Sequence, residues 1–173
     1  MVTTNKLLSL PEYRDAKRIG IYLSMPFGEL STTSLVRKAF TDGKEVYVPY
    51  LHSMISPLTQ QKTSVMDMLA LHSFEEFQTL EPDGWGIPSL KQEQVVDKKN
   101  GLGGHGVSGA EYETTVEHRH GIDLIIMPGM AFDYGFRRLG HGKGYYDDFL
   151  MRYLEKEKSN SNNGIVKMPF LGK

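Results

Sequence analysis

IDLIIMPGMAFDYGFRRLGHGKGYYDDFLMRYL, residues 122–154, reads as strand, loop and helix in direct succession. Ile122 to Met127 is a near-continuous apolar run of strand length, the pattern of a strand covered on both faces. Pro128-Gly129 ends it. From about Gly142 the apolar residues recur at helical spacing. Tyr146, Phe149, Leu150, Tyr153 and Leu154 make one stripe, and Asp147, Asp148, Arg152, Glu155 and Lys156 fall largely on other faces.

The same alternation appears near the N-terminus. Leu7, Leu8 and Leu10 end an apolar helix face stopped by Pro11. Ile19-Gly20-Ile21-Tyr22-Leu23 is a short β-favouring run, Pro26 and Gly28 mark a turn, and Ser31, Thr32 or Thr33 can cap a helix carrying Leu35, Val36, Ala39 and Phe40. Gly43 stops that helix, and Glu45 to Pro49 is a second strand. Strand, helix and strand in so short a span predict a parallel β-α-β unit. The fold expected is therefore single-domain α/β: a mostly parallel twisted sheet flanked by helices in three α/β/α layers, Rossmann-like.

Between the two units, Met66 to Leu71 predicts a strand and Phe74 to Leu80 a short helical turn. Residues 81–90 hold two prolines, two glycines and the one tryptophan, Trp85, and predict a structured loop. Residues 91–115 are charged and then glycine-rich, and read as a flexible surface excursion from a domain spanning 1–158. The tail, 159–173, begins SNSNNG and reads as polar and disordered. His118-Arg119-His120 has no third ligand in register and reads as solvated loop rather than a metal site.

Composition narrows function. The 173 residues are 39% hydrophobic and 24% charged, an ordinary globular balance. Twenty basic residues against 21 acidic ones give a net charge of −1, so nothing asks for nucleic acid or an acidic membrane. The absence of cysteine excludes disulfides, zinc-thiolate sites and a cysteine nucleophile. No apolar run is long enough to span a bilayer, and no transit-like leader stands out. The expected setting is a cytoplasmic monomer, with a mitochondrial location left open.

Of 18 glycines, five lie between Gly101 and Gly109 and five between Gly129 and Gly144. The second group carries chemistry. Gly140, Gly142 and Gly144 let backbone amides approach a ligand closely, and the helix that follows offers free N–H groups and a positive dipole end. Arg137, Arg138, His141 and Lys143 add positive charge, and Asp147 can hold a divalent metal beside phosphates. This describes a polyphosphate site. It is not a P-loop, because His141-Gly142 stands where Lys-Ser/Thr is required, and it is not GxGxxG. The bland alternative is a glycine-rich turn with basic residues facing solvent.

PGMAFDYGFRRLGHGKGYYDDFL resembles the signature of the 5-formyltetrahydrofolate cyclo-ligase (5,10-methenyltetrahydrofolate synthetase) family. KRIGIYLSM at 17–25, GELSTTSLVRKAF at 28–40, GKEVYVPY at 43–50 and GWGIP at 84–88 extend the likeness over roughly 11–155. The resemblance implies ATP- and Mg²⁺-dependent cyclisation of 5-formyltetrahydrofolate to 5,10-methenyltetrahydrofolate, with ADP and phosphate released. It implies nucleotide binding by Arg138, Leu139, Gly140, His141, Gly142, Lys143, Gly144, Tyr145 and Tyr146, with Lys143 and Arg138 catalytic. It implies folate binding by Leu23, Glu29, Trp85, His141, Gly142, Lys143, Gly144 and Tyr145, and Asp147 as the metal ligand. Against the family's pattern both ends read as truncated, lacking a basic N-terminal helix and a second magnesium-binding Asp. The alternative is then a non-catalytic fragment that binds nucleotide or folate.

Overall fold

The computed structural model describes residues 2–55, 60–108, 121–135, 137–160 and 170–172. Two short helices lead in, α1 (Val2–Ser9) and α2 (Pro11–Asp15). Pro11 both ends α1 and opens α2, where its missing N–H costs nothing. Then follow β1 (Arg18–Ile21), α3 (Thr33–Thr41), β2 (Glu45–Ile55), β3 (Lys62–Leu71), α4 (Phe74–Thr79), the two-residue strands β4 (Glu81–Pro82) and β5 (Pro88–Ser89), and β6 (Leu124–Ile126). The chain continues through β7 (Ala131–Phe132), β8 (Arg138–Leu139), α5 (Tyr145–Asn160) and β9 (Phe170–Gly172).

The main sheet runs β3-β2-β1-β6-β9. β1 pairs in parallel with β2 and with β6, and β6 in parallel with β9. Only β3 is antiparallel, joined to β2 along Val46–Ile55. β2 therefore continues well past Pro49. Its pairing with β1 ends at Tyr47, so at Pro49 there is no β1 partner to lose.

Alternation along the strands builds two cores. Ile19, Ile21, Val46, Val48, Leu69, Leu71, Leu124 and Ile126 pack on the side of Leu7, Tyr13, Leu35, Val36, Ala39 and Phe77, which belong to α1–α4. Tyr47, Met66, Met68, Ala70 and Ile125 face the other way, onto Phe149 and Tyr153 of α5. The layers are thus helices, sheet and helix, as the apolar patterns imply.

Two stretches depart from the sequence reading. Residues 91–108 do not leave the domain. Asn100 bridges Leu69, the Ala70 amide donates to the Lys99 carbonyl, and the Gly101 amide donates to the Met68 carbonyl at 2.7 Å. These bonds satisfy the free edge of β3, which an excursion would leave open. Lys98 in this stretch is 1% exposed, held by Glu76 at 2.7 Å. In the tail expected to be disordered, Phe170–Gly172 lines the β6 edge as β9. His118-Arg119-His120 lies outside the described residues.

Candidate functional site

β1 and β6 are adjacent and parallel, so their carboxyl ends open on one rim of the sheet. From β1 the chain crosses to α3 on one face, and from β6 it crosses to α5 on the other. Their loops therefore diverge and leave a crevice between them, the topological switch point at which open α/β sheets bind ligands. One loop is 22–32; the other is 127–144.

The second loop is more ordered than its glycines suggest. Ala131–Phe132 pairs antiparallel with Arg138–Leu139, closed by Asp133, whose carboxylate accepts from the Arg137 amide and pairs with its side chain at 2.6 Å. Arg137 is 86% exposed and spends its charge there. Arg138 turns inward. Its Nη1 donates to the Pro128 carbonyl at 3.1 Å, its Nη2 lies 3.2 and 3.3 Å from the two Asp147 oxygens, and its guanidinium sits 5.6 Å from the Tyr146 ring centroid. His141 and Lys143 are exposed, with no ion-pair partner among the described residues. Gly142 and Gly144 have φ of +84° and +70°, and the space where a Cβ would stand is open at both. Those torsions favour glycine and turn the chain into α5, where the Asp148 amide bonds back to the Gly144 carbonyl.

In the first loop the Glu29 carboxylate accepts from the Met25 amide at 2.8 Å, and the Tyr22 hydroxyl donates to the Leu30 carbonyl. Glu29 thus ties its own turn. It also faces the second loop: burial first, and then the Glu29 carboxylate, push the Tyr146 phenol up from its ordinary value, against the opposing influence of Arg138. Trp85 stands on the β4–β5 hairpin, 77% exposed. That hairpin meets the first loop, since a Cβ on Gly86 would lie 2.9 Å from Pro26 Cγ.

The structure therefore gathers Glu29, Arg138, Tyr146 and Asp147, with His141, Lys143 and the glycines beside them and Trp85 on the neighbouring hairpin. Leu139 is exposed beside Arg138. Two expected ligand walls point elsewhere: Leu23 is buried in the core, and the Tyr145 hydroxyl is engaged with Ser64 Oγ at 3.2 Å. Exposed apolar side chains that the sequence reading passed over, Phe27, Leu30, Met130 and Tyr134, belong to the same two loops.

Another group went unread. Asp67, fully buried, accepts from His52, Asn100, Ser108 and Arg152. Arg152 also reaches the Met66 carbonyl and bonds the Asp148 carboxylate. The one signal was an acid inside the apolar run Met66 to Leu71, which only buried partners can explain.

A magnesium ion fits Asp147 in one specific way. The described residues hold no cluster of three acidic or histidine ligands, so an all-protein cage is absent from them. Asp147 is a 73% exposed carboxylate on the first turn of α5, beside amides that attract phosphate. One carboxylate plus substrate phosphates is the usual magnesium arrangement, and without a cation Asp147 and phosphate would repel.

The profile of the 5-formyltetrahydrofolate cyclo-ligase family matches residues 1–168. The chain is 33% identical over 158 residues to a probable 5-formyltetrahydrofolate cyclo-ligase of Schizosaccharomyces pombe, which is 88% of this chain and 62% of that protein. It is 30% identical over 158 residues to the 5-formyltetrahydrofolate cyclo-ligase of Mus musculus, covering 91% of this chain and 65% of that one. The NMR structure of the Aquifex aeolicus 5,10-methenyltetrahydrofolate synthetase superposes with a TM-score of 0.51 at 26% identity, over 87% of this chain and 59% of that one. The chain thus spans between 62% and 65% of the length of these two curated relatives.

Proposed function

The chain belongs to the 5-formyltetrahydrofolate cyclo-ligase family, and from that premise we propose that it binds ATP and 5-formyltetrahydrofolate in the β1–β6 crevice and closes the folate to 5,10-methenyltetrahydrofolate. The observation that carries this reading is the 138–147 turn: two left-handed glycines with open space at their Cβ positions, the start of α5, and Arg138, His141 and Lys143 around it.

In the proposed reaction the formyl oxygen attacks the γ-phosphorus and ADP leaves. N10 then attacks the formyl carbon, phosphate departs with that oxygen, and the N10 proton is lost to solvent. Phosphoryl transfer needs position and charge more than covalent help from the protein. The amides at the start of α5 would hold the phosphates, and Lys143 and Arg138 would bear on the charge developing there. Mg²⁺ on Asp147, when bound, supplies neutralisation of phosphate charge. Glu29 suits the guanidine-like edge of a pterin, and Trp85 offers an apolar face.

The test is absorbance at the methenyl product's band with 5-formyltetrahydrofolate, ATP and Mg²⁺. Turnover is expected, and Lys143→Ala should lower it by roughly 10²-fold, the scale of losing one preorganised charge-stabilising group. No turnover by a chain shown to be folded overturns the reading. Binding of both ligands without turnover would favour the second reading, a nucleotide- and folate-binding fragment, suggested by the partial coverage of the curated relatives.

A further inference from the structure

We propose that Asp67 is a positioning residue for the nucleotide site, acting through Arg152 to fix the rotation and register of α5; this rests on the functional reading above. Asp67 takes five hydrogen bonds: from His52 Nε2 at 3.1 Å, Asn100 Nδ2 at 3.0 Å, the Ser108 amide at 2.5 Å, Ser108 Oγ at 2.9 Å and Arg152 Nη1 at 2.9 Å. A carboxylate has about four lone-pair sites, so this one is saturated. It is 0% exposed, and no bulk water can replace a missing donor.

The direction of the Arg152 bond matters. Asp67 shares its strand face with Leu69 and Leu71, which pack on the α1–α4 side. α5 packs on the opposite face, against Met66 and Met68. Arg152 therefore reaches round the outer edge of β3, gripping the Met66 carbonyl on the way. Hydrophobic packing of Phe149 and Tyr153 holds α5 against the sheet but is non-directional. Directional bonds set its rotation: besides Tyr153 on the Ile122 carbonyl and Arg138 on Asp147, the described ones from α5 to the main sheet are this clasp and Tyr145 on Ser64, both to β3. Arg152 lies five residues beyond Asp147, about 7.5 Å along the helix axis. A turn of α5 there moves the amides and carboxylate that the nucleotide and its metal would meet.

Asp67→Asn keeps the shape but presents an amide group where donors already point. In the full chain, calorimetry should show affinity for ATP–Mg²⁺ falling about tenfold, as for loss of a residue that orients a ligand-binding group, with 5-formyltetrahydrofolate affinity much less affected. Amide exchange over 142–150 should quicken without any ligand. His52→Phe, which removes a bond to Asp67 but none to α5, should leave ATP–Mg²⁺ affinity unchanged. If the Asn variant does not fold, Arg152→Lys, which keeps the charge and loses the fork, should reproduce the selective ATP loss. Unchanged ATP–Mg²⁺ affinity in a folded variant, equal loss of both ligands, or an equal effect of His52→Phe overturns the assignment. Failure of the wild-type chain to bind ATP–Mg²⁺ overturns the functional reading itself, and unaltered exchange at 142–150 then separately refutes the clasp.

Discussion

Gly144 and Gly43 form a matched pair within one molecule. Their φ values are +70° and +71°, and beyond its chain neighbours neither has any atom within 4 Å of the position a Cβ would occupy. Replacing either with alanine imposes the same left-handed strain, about 1–2 kcal/mol, and no clash with the protein. For a chain of this size that corresponds to a fall in Tm of roughly 2–8 °C. Thermal melts of Gly144→Ala and Gly43→Ala should therefore agree. Their ligand behaviour should not. Gly43 follows α3 and is remote from the rim, whereas Gly144 abuts the start of α5. If phosphates occupy the open space at Gly144, its methyl group displaces them. Calorimetry should then show ATP–Mg²⁺ affinity unchanged in Gly43→Ala and reduced about tenfold or more in Gly144→Ala, the loss expected from displacing one charge-assisted contact. Equal affinities would refute the placement of phosphates at this turn, because strain and stability have been cancelled between the variants.

Asp147→Asn should tighten binding of metal-free ATP by up to about fivefold, about 1 kcal/mol for an exposed pair, by releasing Arg138 and removing a like charge beside the phosphates; the gain should shrink, but not vanish, in an Arg138→Met background, and calorimetry in EDTA checks both. Gly121→Ala places a Cβ on the Tyr153 hydroxyl, which itself bonds the Ile122 carbonyl, so overpacking should cost about 1–3 kcal/mol in a denaturant titration. Burial opposes the Asp67 charge, but hydrogen bonds from His52, Ser108 and Arg152 outweigh it and hold the carboxyl well below its ordinary range. Its contribution is therefore full above the unfolded value near 3.9 and is lost as pH falls towards the folded one. Chemical denaturation below about pH 4 should show the wild-type advantage over Asp67→Asn shrinking, with His52, Arg152 and Asp148 the charged or titratable groups around it.

What the sequence disclosed followed side-chain burial. Ile122–Met127 and Ile19–Leu23 are apolar enough to announce buried strands, and the stripe through Phe149 and Tyr153 announces a covered helix. The glycines and cations at 138–147 are local in the chain, so their pattern could be read there too. What stayed hidden depends on backbone pairing or on distant partners. The far half of β2 with β3 is a two-stranded ribbon whose outer residues, Leu51 and Ile55 among them, are largely exposed. Residues 98–101 join β3 through amides and carbonyls, which composition does not encode. Lys98 and Arg152 carry charges that single-residue tendencies place outside, and only Glu76 and Asp67, distant in sequence, bring them in.

Two Arg–Asp pairs involving α5 show how the same chemistry serves opposite ends. Arg152–Asp67 is short, at 2.9 Å, and its acid is fully buried among further donors. Removing either partner strands the other charge in a poorly solvated setting, which makes the bond a permanent fixture. Arg138–Asp147 is longer, at 3.2 Å, and its acid is 73% exposed. Water readily replaces that contact, so it holds the two groups near one another without committing either. A fixture belongs where the helix must not turn, and an exchangeable pair belongs where an anion and a cation must enter together. Under the proposed function, ATP would draw Arg138 more readily once Asp147 has another positive partner, and a metal ion would settle on Asp147 more readily once the guanidinium has turned to phosphate. If the proposed function holds, nucleotide and magnesium bind with positive coupling, and that coupling resides in the looser of the two pairs.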